Sequence, residues 1–403
     1  MKESGVYFKG LNGLRFFAAF LVLMMHGEMM RNNYNLFNLQ GVTLFSSGAI
    51  AVEFFFVLSG FLITYLLLVE HKKTSTISIR HFYWRRVLRI WPLYYIVLIL
   101  GMAVIPIVSK YLHLDFDQPY PVVGGALLFA FFLPNLAVSL WGFNFIGPLW
   151  SIGVEEQFYF FWAPLMKYFK RYALQLFIGI IVIRFAFYAF THHIKDAFEG
   201  TGLVVAFLRT LKFEAMAMGG LGAWLLFHHK ERLMKQQIFS IGIQCLFLGL
   251  IVLRFTLHKT LVETDNVAGI IYSALFNQFY SFLLLEGLFL WLILNVSSNP
   301  RTIIRTENMV LNFLGNISYG IYMYHTIVLL AMIRVLQNVL RPLSPVVSTI
   351  VLYVLAGSCT VLVAWLSYRL IESRFLKLKN TFAPKGGKPA AAPVPAAEPV
   401  LPE

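Results

Sequence analysis

The chain has 403 residues, 59% of them hydrophobic and only 13% charged, where a soluble domain carries ~25% charged residues. That deficit, with repeated long apolar runs, excludes a soluble globular protein and predicts an all-α polytopic membrane protein. A net charge of +14 would point a soluble protein toward nucleic acid, but here the cations gather in particular short loops, so membrane topology accounts for them and no nucleic-acid partner is expected.

A spanning helix needs ~20 mostly apolar residues. Such spans fall near 11–30, 49–69, 86–108, 149–166, 173–190, 209–227, 237–257, 268–294, 310–336 and 347–370, ten transmembrane helices in all. A further apolar stretch, 122–140, has Pro134, Gly142, Gly147 and Pro148 around its exit and is expected to be re-entrant or partly inserted, as broken helix lining a cavity. Loop charges set this count. Lys72, Lys73, Arg80, Arg85, Arg86 and Arg89 cluster after the second span; Lys167, Lys170 and Arg171 follow the fourth; Lys230, Arg232 and Lys235 follow the sixth. Arg301 and Arg305 follow the eighth, and Arg369, Arg374, Lys377 and Lys379 the last. With ten spans these loops and both termini face the cytoplasm. No signal peptide is evident, and the first span is expected to stay in the mature protein. Residues 380–403 are Ala- and Pro-rich, which predicts a disordered cytoplasmic tail after one transmembrane domain over 1–379. No soluble catalytic domain is attached in this reading, so the chemistry must lie in the membrane part. Cys245 and Cys359 both sit in apolar segments and provide neither a disulfide framework nor a metal site.

The first span holds Arg15 and His26. They are eleven positions apart, so they end ~20° apart around a helix with roughly 16 Å of rise between them. A lone membrane histidine is more often a satisfied core residue, and an arginine near a helix end is often an anchor. A shared face favours chemistry, since imidazole takes and returns protons near neutral pH. Glu53 heads the next apolar run, VEFFFVLSGFLI. In RHFYWRRVLRIWPLYY, Arg86 and Arg89 share a helix face and Arg85 is adjacent. On charge alone this is a positive-inside border; functionally, it is a phosphate site of guanidinium forks, suited to a donor such as coenzyme A. Glu155 and Glu156 stand at the start of the span GPLWSIGVEEQFYFFW, where either could orient His26 or a sugar hydroxyl. His325, with Ser318, Tyr319, Tyr322 and Tyr324, lies in LGNISYGIYMYH and completes the candidates. The His192–His193 and His228–His229 pairs lack companion ligands at metal spacing, so no metal is expected. Hydrolase-elbow, phosphate-loop, zinc-protease and dinucleotide motifs are absent.

Six of these stretches together resemble the integral membrane acyltransferase-3 family of bacterial envelope acyltransferases. GLNGLRFFAAFLVLMMH resembles its first-helix signature, AVEFFFVLSGFLITYLL its second, RRVLRIWPLYY its basic motif, PLWSIGVEEQFYFFWAPL its acidic motif, and LGNISYGIYMYH and LSYRLIESRF its C-terminal motifs. The resemblance covers roughly residues 8–376 and implies a ten-helix bundle in the bacterial inner membrane. It implies transfer of an acyl group, most often acetyl, from cytoplasmic acyl-CoA to an envelope glycan or lipid-linked sugar. By position His26 resembles the essential histidine, Arg15 its partner, and Arg86 with Arg89 the donor-binding pair. The chain departs from the pattern at Asn12, where an aspartate is usual; asparagine can cap the helix but supplies no charge for Arg15.

The expected mechanism docks the acetyl-CoA phosphates near Arg85, Arg86 and Arg89 and threads the pantetheine arm past Arg15 to His26. His26 then serves as base or acyl carrier, with Glu155 orienting it. The rival reading is a proton-coupled transporter or flippase of a glycan-like solute, which uses the same intramembrane residue types; no inverted-repeat hydropathy supports it.

Overall fold

The computed structural model describes residues 6–113, 118–193, 202–264, 266–276, 280–379 and 382. Among them every regular element is helical. The long helices are α1 (Leu11–Asn33), α2 (Gly48–Thr74) and α3 (Ile79–Ile99), the last continuing through a π turn to Tyr111. Two short helices follow, α4 (Val122–Ala130) and α5 (Pro134–Trp141), then α6 (Leu149–Tyr168) and α7 (Ala173–His193). After α8 (Gly202–Thr210) come α9 (Phe213–Met234), α10 (Ile241–Thr256), α11 (Val267–Phe276) and α12 (Ser281–Ser298). The chain closes with α13 (Met309–Asn316), α14 (Ser318–Leu340) and α15 (Pro345–Ser367), which runs on to Leu378.

Seven helices among the described residues are long and apolar enough to cross a membrane: α1, α2, α3, the segment Lys170–Thr191 that contains most of α7, and α12, α14 and α15. The architecture is thus an all-α polytopic membrane fold, and the expected count of ten reaches beyond these seven. α6 and α9 are 20 and 22 residues long but carry ionisable side chains, while α10 has only 16 residues. The expected span 268–294 divides into α11 and α12, and 310–336 is broken at Ile317 between α13 and α14. The stretch 122–140 forms two helices of 9 and 8 residues, neither long enough to span. The break between them is satisfied by protein. Tyr94 and Tyr95 donate to the carbonyls of Phe129 and Ala130, and Gln157 donates to that of Phe132, at 2.7, 2.9 and 2.8 Å. Non-helical backbone at membrane depth needs such internal partners.

The start of α1 is held by the loop before α13. Gly10, at φ 74°, donates its N–H to Glu307 at 2.6 Å and accepts from the Thr306 hydroxyl at 2.8 Å. Asn12 therefore does not cap the helix. It lies inside α1, and its amide reaches Asn312 and Asn316 at 3.4 Å each. The Glu307 carboxylate already places negative charge at this N-terminus.

α2 and α9 make the most intimate helix pair. A Cβ on Gly60 would sit 1.9 Å from the Met216 carbonyl oxygen, and one on Gly219 1.9 Å from that of Val57. Small residues let two backbones approach this closely where lipid offers no hydrophobic drive to pack. α1 lies in a groove formed by α2, α13 and α14, and α3 leans on α6 and α14. Of the expected tail 380–403, all but Phe382 lies outside the described residues. The Phe382 ring stacks on Trp84.

Candidate active site

The arginines come together from two helices. Arg15 of α1 and Arg86 and Arg89 of α3 share one electrostatic neighbourhood with Glu155 and Tyr159 of α6. Arg89 is exposed, whereas Arg15 and Arg86 are partly buried. The Arg86 guanidinium lies over the Phe82 and Tyr159 rings at 5.8 Å each. Glu155 accepts from the Tyr159 hydroxyl at 2.7 Å and is also hydrogen-bonded to Ser59. Glu156 accepts from the Trp91 indole at 3.0 Å, and its other oxygen has no partner. Three guanidiniums facing two carboxylates leave a cationic mouth, the kind of surface that binds phosphate through bidentate donors. Tyr319 sits at the same level, donating to the Ile90 carbonyl at 2.9 Å.

About 16 Å further along α1 the chemistry changes. His26 is 4% exposed, and His325 of α14 is fully buried against it, with His325 Nε2 2.9 Å from His26 Nδ1. His325 Nδ1 lies 2.6 Å from the Tyr322 carbonyl oxygen. A carbonyl only accepts, so His325 carries its proton on Nδ1 and, when neutral, offers a lone pair at Nε2. His26 Nδ1 is then the donor between the rings. This assignment, made from the hydrogen-bond network, leaves a lone pair on His26 Nε2. The Val22 carbonyl, one turn earlier, is a second acceptor for the ring N–H. Phe143 covers it, the two planes being 1° from parallel with centroids 5.2 Å apart. Phe143 follows Gly142, whose φ of 84° lets the chain turn back over α1. Tyr322 extends the network, its hydroxyl 2.7 Å from Ser151 Oγ and 3.1 Å from the Pro148 carbonyl.

The expected residues thus fall into groups. Arg15, Arg86, Arg89, Glu155, Glu156 and Tyr319 gather at one level, and His26 pairs with His325 at another. The structure gives Glu155 other neighbours than the imidazole, because it is drawn to Tyr159, Ser59 and the arginines. Arg85 turns away to an ion pair with Glu70 at 2.5 Å and donates to the Phe382 carbonyl. Glu53 pairs with Lys212 at 2.7 Å. It is ~140° around α2 from Gly48, the position that meets α1 at Leu21, Val22 and Met25. Ser318 donates to the Gly315 carbonyl at 2.8 Å and fastens the α13–α14 break. Sequence reasoning passed over Phe143, Ser59 and Tyr159. Tyr159 was findable, being one turn from Glu155 in an apolar helix; Phe143 had no periodic signal. Among the described residues no three His, Cys, Asp or Glu side chains converge as a metal site.

Comparison with known proteins adds the family. A Staphylococcus aureus (strain COL) protein named "Putative O-acetyltransferase" is 28% identical over 393 residues, covering 92% of this chain and 58% of that protein. The Listeria monocytogenes "Peptidoglycan O-acetyltransferase OatA" is 25% identical over 411 residues, covering 93% of this chain and 57% of its own. The chain therefore spans somewhat over half the length of these relatives. No solved structure matches it. The model of the acyltransferase-3 family, described as an acyltransferase domain, matches residues 8–369, and the chain belongs to that family.

Proposed function

We propose that this chain is a membrane O-acyltransferase of the bacterial cytoplasmic membrane, moving an acetyl group from cytoplasmic acetyl-CoA to a hydroxyl of an envelope glycan. The observation that carries this reading is the His26–His325 pair, which presents a buried imidazole with a free Nε2 on the same helix face as Arg15. Both chain ends face the cytoplasm in this reading, and the arginine mouth opens on that side.

The donor's phosphates bind Arg86 and Arg89, and Arg15 guides the pantetheine arm along α1. The ~16 Å between Arg15 and His26 suits an extended arm. His26 Nε2 takes the proton of the acceptor hydroxyl as its oxygen attacks the thioester carbonyl. The C–S bond breaks, and the coenzyme A thiolate takes the proton back from the imidazolium. His325 accepts the hydrogen bond of His26 Nδ1 throughout and so holds the ring and its tautomer. Phe143 shields the ring from water, and the segment after Gly142 has to swing aside to admit the acceptor.

The test is transfer of radiolabelled acetyl from acetyl-CoA to glycan by purified protein in nanodiscs. His26→Ala loses transfer while keeping its expression and melting temperature. Wild-type rates from that variant refute the role, and uptake of a solute without use of acetyl-CoA refutes the enzyme.

A further inference from the structure

A second group of intramembrane charges lies on the other side of α2. Glu53 of α2 pairs with Lys212 just before α9, and Glu214 of α9 pairs with Arg184 of α7 at 2.8 Å. Glu286 of α12 joins their electrostatic neighbourhood. It is 1% exposed, and neither carboxylate oxygen has a hydrogen-bond partner. Glu53 Oε2 is likewise without one. An unpaired carboxylate at this depth is costly and is retained where it serves a ligand or pathway.

Both carboxylates line a cavity of about 180 Å³, together with Arg254, Ser281, Phe276 and Phe282. It is roomy enough for about six water molecules at ~30 Å³ each, or for one hexose ring. Glu53 lies five residues from Gly48, about 7.5 Å along α2 toward the arginine end, so the cavity lies between the depths of Arg15 and His26. It is seventeen residues, about 25 Å, from Glu70 and the Arg85 pair. Glu53 therefore lies in the half of α2 away from the basic loops.

We propose that this cavity is a carbohydrate subsite, holding one sugar of the acceptor glycan across α2 from the reaction centre. Carboxylate oxygens lacking donors match sugar hydroxyls, which supply them. Arg254 donates to ring or hydroxyl oxygens, and Phe276 and Phe282 offer apolar faces to the C–H side of a pyranose. The guanidinium in the wall disfavours a metal cation, and the two carboxylates disfavour a phosphate. α2 stands between the subsite and His26, a separation of at least one helix diameter, ~10 Å, so an oligosaccharide rather than a single sugar reaches both. The acceptor role rests on the acyl-transfer reading; the binding of sugar does not.

The test uses the full chain in nanodiscs and three probes: tetrasaccharides of N-acetylglucosamine, glucose and mannose, followed by calorimetry and saturation-transfer NMR. At least one binds the wild type, and Glu286→Gln weakens it tenfold or more. Where transfer is measurable, Glu286→Gln raises the acceptor KM at least tenfold with the acetyl-CoA KM unmoved. Arg254→Gln and Phe282→Ala, at the rim and wall, carry the test if Glu286→Gln does not fold. Failure of all three sugars to bind overturns the subsite, as does equal affinity in wild type and variants. Glu286-dependent binding without acetyl transfer overturns the acyltransferase reading and leaves the subsite standing.

Discussion

Replacing His325 by Asn isolates what the second imidazole does. Asparagine keeps an amide donor near the Tyr322 carbonyl, which His325 Nδ1 meets at 2.6 Å, but ends short of His26. The lost interaction is the 2.9 Å bond between the rings. A buried donor deprived of its partner loses about 1–3 kcal/mol. At 1.36 kcal/mol per tenfold in rate, that lowers kcat by roughly 5- to 150-fold. Removing His26 itself takes away a general base, on the order of 10²–10⁴-fold. If His325 acts only through His26, the double variant His26→Ala/His325→Asn is no slower than His26→Ala alone. The assay is single-turnover acetyl transfer at saturating acetyl-CoA, with melting temperature recorded for each variant. A wild-type kcat for His325→Asn, or losses that multiply in the double variant, refutes the relay.

Arg89→Gln removes an exposed guanidinium from the mouth and raises the acetyl-CoA KM by about 10- to 150-fold, the worth of a charge-assisted bond of ~1.5–3 kcal/mol. Acetyl-pantetheine, which lacks the nucleotide phosphates, shows no such penalty; an equal loss on both donors removes Arg89 from phosphate binding. Gly60→Ala forces a methyl to within 1.9 Å of the Met216 carbonyl, so α2 and α9 must part. Overpacking of this kind costs about 1–3 kcal/mol or more, read as a lower melting temperature, and an unchanged one contradicts the packing described. Burial alone would raise the Glu307 carboxyl, but hydrogen bonds from Tyr7, Asn312 and the Gly10 N–H, with Lys9 nearby, hold it below the ordinary glutamate range. A depressed folded pKa means its contribution is present above the ordinary range and fades as pH falls through the folded value. Hydrogen-exchange protection over residues 6–14, taken relative to the intrinsic rate at each pH, thus falls on acidification, and Glu307→Gln flattens that dependence; an unaltered pH profile in the variant removes Glu307 as the clasp.

Much of the site could be read in one dimension because a helix fixes angles. A separation of eleven positions between Arg15 and His26, and of three between Arg86 and Arg89, already placed each pair on one helix face. Arg85, adjacent in sequence, is ~100° away on the same helix, and Glu70 captured it. Periodicity reports which side of a helix a residue occupies; it says nothing about which helix lies opposite.

Composition, apolar run length and helical spacing therefore determined the membrane class, the helical content and the shared face of Arg15 and His26 on α1, since each depends on residues close in sequence. Only the tertiary structure decided that His325 and not Glu155 meets His26, that Phe143 covers the ring, and that Glu53 joins Glu286 instead of the histidines. Those pairings link positions as far as 299 residues apart. They follow from how closely helices can approach, and at Gly60 and Gly219 that approach is set by the absence of two methyl groups.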